Sequence, residues 1–342
     1  MEQLTFPLQP KSLNMKVLSD VLITSTIKHH LYSLLFLLSF LTFSVNAQVD
    51  SEVDTVDQYL DKTLAGFSNN DKAAWLLEHT RSMFYQNPEI ALNYSARAIE
   101  LVKGTDNYRL QIHANINLAR AYINLSQYPN AYEYIITSIE IAKEQNEQQL
   151  LGEGIRTLGV WYDMQGDLPN ALDCYHKSLA VYEEIGDEMS MAMCYNNIGI
   201  MQNELNNHAS SIEFYKKAIQ INEKTDNKRS LSKTYCNLGN VFQETGDYKS
   251  ALTYLGKALS LDRTLGDKQG ITANLLNIGL VYFKMRDYNK ALSNMNQSLE
   301  ISQELNDTYR IIDRYAAICD VYDSLGDFNK GEIYAQNALK LS

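Results

Sequence analysis

Chemistry in this chain would fall to its histidines, cysteines and carboxylates, the side chains that hold metals, move protons or attack as nucleophiles. The six histidines are His29, His30, His79, His113, His176 and His208. None has a second histidine three or four residues on, the spacing that sets two imidazoles on one helix face. Cys174, Cys194, Cys236 and Cys319 form no C-x-x-C pair. No metalloprotease, phosphate-loop, dinucleotide or G-x-S-x-G signature occurs. Carboxylate pairs such as Glu183 with Glu184, and Asp320 with Asp323, lack neighbours that would tune them for acid–base work. The chain therefore reads as no enzyme, with no metal and no cofactor. Cys174 and Cys194 come from consecutive helices and could be bridged in an oxidising compartment; the other reading has all four cysteines as small buried hydrophobes.

The elements that carry these residues repeat. A small residue falls at Ala91, Ala131, Ala171, Ser211, Ala251, Ala291 and Gly331, every 40 residues. Four residues after each stands Ser95, Ile135, Tyr175, Tyr215, Leu255, Met295 or Ala335. In the preceding segment Leu118-Ala119 recurs as Leu158-Gly159, Ile198-Gly199, Leu238-Gly239, Ile278-Gly279 and Ile318-Cys319. Apolar residues at three- and four-residue steps put one stripe on each helix. The Gly/Ala/Cys position is small because another helix must approach there. Between the two helices stand Gly166-Asp167, Asn206-Asn207, Gly246-Asp247, Arg286-Asp287 and Gly326-Asp327. Gly or Asn suits a left-handed C-cap, and Asp accepts from the amides that open the next helix. A second polar turn recurs between copies at Gly186-Asp187, Asp226-Asn227, Gly266-Asp267 and Asn306-Asp307. Pro88, Pro129 and Pro169 fall at helix starts, where proline is tolerated.

These residues resemble the tetratricopeptide repeat. Its scaffold, L-G-x-x-Y then A-x-x-x-F/Y-x-x-A, is matched by Leu158-Gly159, Tyr162, Ala171, Tyr175 and Ser178, and again by Leu238-Gly239, Phe242, Ala251, Leu255 and Ala258. The period of 40 in place of 34 resembles a longer-repeat subgroup, of exported bacterial type. The resemblance implies an all-α fold, a right-handed superhelical solenoid of about seven antiparallel helix pairs over residues 72–342. The first copy is degenerate, with His79 where glycine is expected. Residues 48–71 form an acidic linker with a short capping helix expected around 56–65. Two globular domains, the prior for 342 residues, is then the wrong count.

In such solenoids the first helices line a concave groove. The residue before each Leu-Gly is Asn117, Thr157, Asn197, Asn237 and Asn277, although Asn is a mediocre helix former. An amide that donates and accepts matches a peptide backbone, and the resemblance implies an asparagine ladder at Asn117, Asn197, Asn237 and Asn277. The plainer reading has these amides bonding between repeats; both can hold. Three residues further come Arg120, Val160, Ile200, Asn240, Leu280 and Asp320, and one residue earlier Ile116, Arg156, Asn196, Cys236, Leu276 and Ala316. The groove thus reads as cationic at Arg120 and Arg156, amide-rich through Asn196, Asn203 and Asn240, then apolar, then acidic at Asp313, Asp320 and Asp323. A peptide with a carboxylate near one end and apolar side chains beyond it would complement that gradient. Arg120, Arg156 and Lys233 are too few for the basic clamp some family members use. Tyrosines and methionines at helical spacing read mostly as core.

Thirty Lys and Arg against 41 Asp and Glu give a formal net charge of -11, which disfavours nucleic acid as a partner. At 45% hydrophobic and 21% charged residues the composition excludes a disordered chain. The uncharged run from Leu31 to Ala47, preceded by Lys28, His29 and His30 and closed by Val45-Asn46-Ala47, reads as a secretory leader over 1–47, with Met15 as an alternative start. Cleaved, it makes the protein exported, in the periplasm or cell envelope; retained, it makes it membrane-anchored. The reading is a non-catalytic scaffold for a protein or extended peptide. Its rival is the ligand-binding part of a signal-transduction system whose output module, of histidine-kinase or transcription-regulator type, is absent from this sequence.

Overall fold

The computed structural model describes residues 62, 64–84 and 87–341. The leader and the segment 48–61 lie outside them. Among the described residues there are fourteen helices and no strand, arranged as seven antiparallel pairs. The first three are α1 (Asn69–Met83) with α2 (Pro88–Val102), α3 (Tyr108–Asn124) with α4 (Tyr128–Glu144), and α5 (Gln148–Asp163) with α6 (Leu168–Ile185). The other four are α7 (Glu188–Glu204) with α8 (His208–Lys224), α9 (Lys228–Glu244) with α10 (Tyr248–Leu265), α11 (Lys268–Lys284) with α12 (Tyr288–Glu304), and α13 (Thr308–Leu325) with α14 (Phe328–Leu339). The pairs form one unit from Gly66 to the end. First helices of successive pairs pack on one another in five of the six joints, α5 with α7 being the exception, and no second helix packs comparably on the next second helix. The first helices are therefore the inner layer of the solenoid.

The punctuation of the chain has half the period of the repeat. Residues with φ between 50° and 81° recur every 20 positions, at Ser126, Asn146, Gly166, Gly186, Asn206, Asp226, Gly246, Gly266, Arg286, Asn306 and Gly326. Each stops a helix in the left-handed region, where Gly and Asn are favoured and Arg286 is the conspicuous exception. The next helix starts at once. Asp167, Asp247, Asp287 and Asp327 each accept a hydrogen bond from the backbone amide three residues on, as do Asp187, Asp267 and Asp307 at the turns between pairs. Asn207 makes no such cap.

Inside four of the pairs, a glycine of the first helix meets a large residue of the second. A Cβ added at Gly159 would stand 2.6 Å from the Tyr175 ring. At Gly199 it would stand 2.7 Å from the Tyr215 ring, at Gly239 2.7 Å from Leu255, and at Gly279 2.8 Å from Met295. Tyr175, Tyr215, Leu255 and Met295 are buried, with Ala171, Ser211, Ala251 and Ala291 beneath them. The degenerate first copy folds as a pair too. His79 stacks on Trp75 with ring centroids 3.7 Å apart, and its Nδ1 lies 2.7 Å from the Trp75 carbonyl oxygen.

Between pairs the packing is more permissive, and it admits charge. Asp262 of α10 is buried; its carboxylate accepts from Ser232 Oγ at 2.5 Å and from Asn274 Nδ2 at 2.7 Å. Burial pushes its carboxyl above the usual carboxylate range. Arg314 of α13 is also buried, donating from Nε to Ser298 Oγ at 3.0 Å and pairing with Asp313 at 2.7 Å. Two readings left open by the sequence are decided here. All four cysteines are free, and Cys194 donates to Ser178 Oγ, so no Cys174–Cys194 bridge forms. The methionines divide: Met201 and Met295 are core, whereas Met164, Met189, Met193 and Met285 are exposed.

Replacing Gly159 with valine pushes an isopropyl group, its Cβ already too close, into a buried ring. It is expected to lower stability by about 1–3 kcal/mol or more, read as the shift in a urea-unfolding midpoint.

Candidate functional site

The groove is built by the inward stripe of α3, α5, α7, α9, α11 and α13. Its amides do two different things. Asn117 is buried and donates from Nδ2 to the Leu77 carbonyl oxygen of α1 at 3.4 Å. Asn237 donates to Asn196 Oδ1 at 3.2 Å, and Asn277 to Cys236 Sγ at 3.4 Å. Asn124 does the same two turns on, donating to the Phe84 carbonyl oxygen at 3.0 Å. These bonds join each first helix to the one before it, so the inter-repeat reading of the asparagines is visible for Asn117, Asn237 and Asn277. Asn203 is also tied, donating to Glu244 at 2.8 Å with its oxygen 2.8 Å from His208 Nδ1.

Asn197 and Asn240 differ. Both are half-buried, and neither side chain makes a hydrogen bond within the described residues. The Asn240 oxygen is enclosed without a donor. A buried amide left without partners is unusual in a finished structure.

Charge is distributed less simply than the sequence implies. Arg120 Nη2 pairs with Glu153 Oε1 at 2.9 Å and also donates to Thr157 Oγ1 at 3.3 Å. Arg156 Nη2 lies 4.0 Å from the same Glu153 oxygen. Burial alone would raise the Glu153 carboxyl, but Arg120, Arg156 and His113 outweigh it and hold the group below the usual carboxylate range. The expected cationic entrance thus contains a carboxylate that cancels half its charge. Glu153 was not among the expected groove residues, although its place three residues before Arg156 was signal enough. Ile116 is buried at 1% exposure and Leu276 at 9%, so that column packs in the seam, as does Arg156 for most of its length. Lys233 is exposed. Beyond Arg156 the wall turns acidic. Burial pushes the Asp163 carboxyl up to about 6, with Glu204 across the seam adding to the rise. Asp313, Asp320 and Asp323 are exposed on the last pair.

Among the described residues no three histidine, cysteine or acidic side chains gather as metal ligands would, and no helix is long and apolar enough to cross a membrane. Burial pushes the Cys174 and Cys236 thiols up to about 11, which keeps them protonated and weakly nucleophilic.

Comparison with known proteins places this architecture. Residues 108–184, 150–224 and 190–264 match a family model described as Tetratricopeptide repeat, and residues 273–305 match a second model of the same description. No curated protein matches the chain. Among solved structures, aspartyl phosphate phosphatase F from Bacillus subtilis is similar at 14% identity over 95% of this chain and 86% of its own, with a TM-score of 0.62. A Rap protein complexed with Competence and Sporulation Factor is similar at 17% identity over 80% of this chain and 76% of its own, with a TM-score of 0.60. BtubC from P. vanneervenii is similar at 19% identity over 70% of this chain and 91% of its own, with a TM-score of 0.53. At these identities the likeness is one of fold.

Glu153 carries a testable electrostatic signature. Its folded pKa is depressed, so its contribution to stability is present above the unfolded carboxylate value of about 4.3 and is lost as pH falls through the folded one. Glu153→Gln should therefore cost about 1–3 kcal/mol near pH 7. In urea unfolding across pH 7 to 3, that difference from wild type should shrink toward the acid end.

Proposed function

The chain belongs to the tetratricopeptide repeat family, and we propose that it is a non-catalytic scaffold holding a protein segment or extended peptide in its concave groove. The observation that carries the reading is the pair of unpartnered amides, Asn197 and Asn240, on consecutive first helices of the inner layer. An extended peptide offers alternating N–H and C=O groups, and an amide side chain answers both. Around them Val160, Ile200, Leu280 and Phe283 are half-buried apolar side chains that would take alternate ligand side chains. Asn117, Asn237 and Asn277 hold the first helices in register, and through that register they space the amides that bind. Arg120, Arg156, Asn196, Asn203 and Lys233 complete the groove wall. Among similar folds, a Rap protein has been solved complexed with Competence and Sporulation Factor, which agrees with a fold that accepts a bound partner.

The test is retention of a degenerate pool of decapeptides on the immobilised full chain, read by mass spectrometry. Asn197→Ala with Asn240→Ala should weaken retention about thirtyfold, since each of the two lost hydrogen bonds is worth about 1 kcal/mol, at an unchanged melting temperature. Unchanged retention would sink the groove reading. Asn237→Ala, whose amide is already engaged, should lower the melting temperature instead.

The same proposal puts the scaffold outside the cytoplasm, on the strength of the leader sequence. Sequencing the N-terminus of the mature protein from a native host should give Gln48; an intact leader in a membrane fraction would make it an anchor.

A further inference from the structure

The joint between α5 and α7 is made unlike the other inner joints, for here the two first helices barely meet. Equivalent residues sit 40 apart, so each joint can be read against the next. Two cross-helix positions hold the α7–α9 joint. Asn237 donates to Asn196 Oδ1 at 3.2 Å, and Asn203 donates to Glu244 Oε2 at 2.8 Å. Set back by 40, the same positions in the α5–α7 joint are Asn197 with Arg156 and Glu204 with Asp163. Among the described residues neither pair forms a hydrogen bond. Gln149 donates to Asp187, the N-cap of α7, at 3.4 Å, but it stands at the opposite end of α5 from Asp163. The position of Asp163 and Glu204 is filled elsewhere by Ile123 with Met164, Asn203 with Glu244, Gln243 with Lys284 and Phe283 with Ser324. Of these pairs, Asp163 with Glu204 alone sets two like charges across a joint.

We propose that α5 and α7 flank the hinge of the array, and that its inner edge closes when Asp163 and Glu204 share one proton. A protonated aspartate has the shape of an asparagine, with an O–H where the amide has an N–H. Asp163 would then donate to Glu204 as Asn203 donates to Glu244 one repeat on. As carboxylates both can only accept, and they repel. Burial pushes the Asp163 carboxyl up to about 6, with Glu204 adding to the rise, and burial raises Glu204 as well. The penalty on ionising Asp163 is absent in acid and grows as pH rises through that value, so acid favours the closed joint and neutral pH the open one. The groups that face the pair supply no cation to replace the proton. Tyr175 of α6 faces Asp163 and Tyr215 of α8 faces Glu204, and burial holds both phenols well above the ordinary tyrosine range, hence neutral. Arg156 lies two turns back on α5, beside Glu153. Beyond Asn203 stand Glu244 and His208, whose Nδ1 lies 2.8 Å from the Asn203 oxygen. Asn197 sits in the same joint, so closure would narrow the groove at that amide.

Distances between nitroxide labels in the full chain test the hinge. Labels carried on azide-bearing residues at the exposed positions of Lys143 and Arg263 span the joint, and a second pair at Arg263 and Lys340 lies wholly beyond it. Azide chemistry leaves the four free cysteines untouched. Pulsed electron–electron resonance should show the spanning distance shifting between neutral and mildly acid pH, with a midpoint of about 6, while the second distance stays fixed. Asp163→Asn should hold the acid distance at every pH, because its amide donates without taking up a proton. Asn already stands at this position in the next repeat, so the variant should fold. Glu204→Gln moves the donor to the other helix and should also hold the acid distance. Asp163→Ala should abolish the shift. A spanning distance that ignores pH in the wild type overturns the hinge. Equal shifts in both label pairs mark a general acid response and overturn it too. A shift that survives in Asp163→Asn belongs to another titrating group, His208 foremost, and overturns the carboxyl pair. Asp163→Asn fixed at the neutral distance overturns closure by this bond.

Discussion

The contact on which the structure depends is the one inside the helix pairs, where in four of the seven a glycine lets an aromatic or aliphatic side chain lie directly on the backbone of the facing helix. At Gly159, Gly199, Gly239 and Gly279 there is no room for even a methyl group. That intimacy fixes the distance and angle of the two helices, and with the turns stopped at 20-residue intervals it makes every pair nearly the same object. A set of identical objects can stack in only one way, so the superhelix follows from a local rule applied seven times. The fold needs no long-range instruction beyond it.

Because the pairs are fixed internally, the seams between them are free to vary. They carry the individuality of the molecule: amides at Asn117, Asn237 and Asn277 that donate to the helix before, a carboxylate at Asp262 served by Ser232 and Asn274, and a guanidinium at Arg314 resting on Ser298. The groove is the inner edge of those seams. Its chemistry is thus a by-product of what each seam can tolerate. Unsatisfied polarity at Asn240 and Arg156 marks seams where tolerance of the stack is not the whole explanation.

The sequence displays the repeating part clearly and the varying part poorly, and the reason is physical. Column after column, a small residue faced by a large one is a strong signal because volume admits few alternatives. The turns were equally legible, since left-handed caps draw on few residue types, down to the anomalous Arg286. Half-buried side chains are different. Whether Asn237 turns its amide to a neighbouring repeat or to the groove depends on a rotamer, and no spacing encodes a rotamer. Ile116 and Leu276 lie in the expected column and yet face the seam, because one step of a helix is 100° and the boundary between seam and groove is narrower than that. The charged groups were legible in principle. Asp262 and Arg314 stand in columns whose other members are apolar, small or uncharged, and a comparison of columns would have singled them out as exceptions; Glu153 shares its column with Lys233 and Asp313 and would have been read with them as a charged position. The thiols of Cys174 and Cys194 share a compartment of the core but serve the packing of different helices.

The buried charges of the outer seams have a consequence for how the array can change length. Arg314 stands 40 residues after Asn274, and Asn274 is the residue that donates to Asp262. Removing one period, α11 with α12, would dock α13 on α10 in the old register and set the guanidinium of Arg314 against the carboxylate of Asp262, which makes no ion pair now. The shortened chain would close its new joint with a matched pair of opposite charges. A duplication of the same period would instead set a second Asn274 against Ser302, the residue 40 after Asp262, and make an uncharged joint. Growth and loss by whole repeats are therefore written into the chemistry of the joints, and the number seven is a setting of the array that its own surfaces leave adjustable.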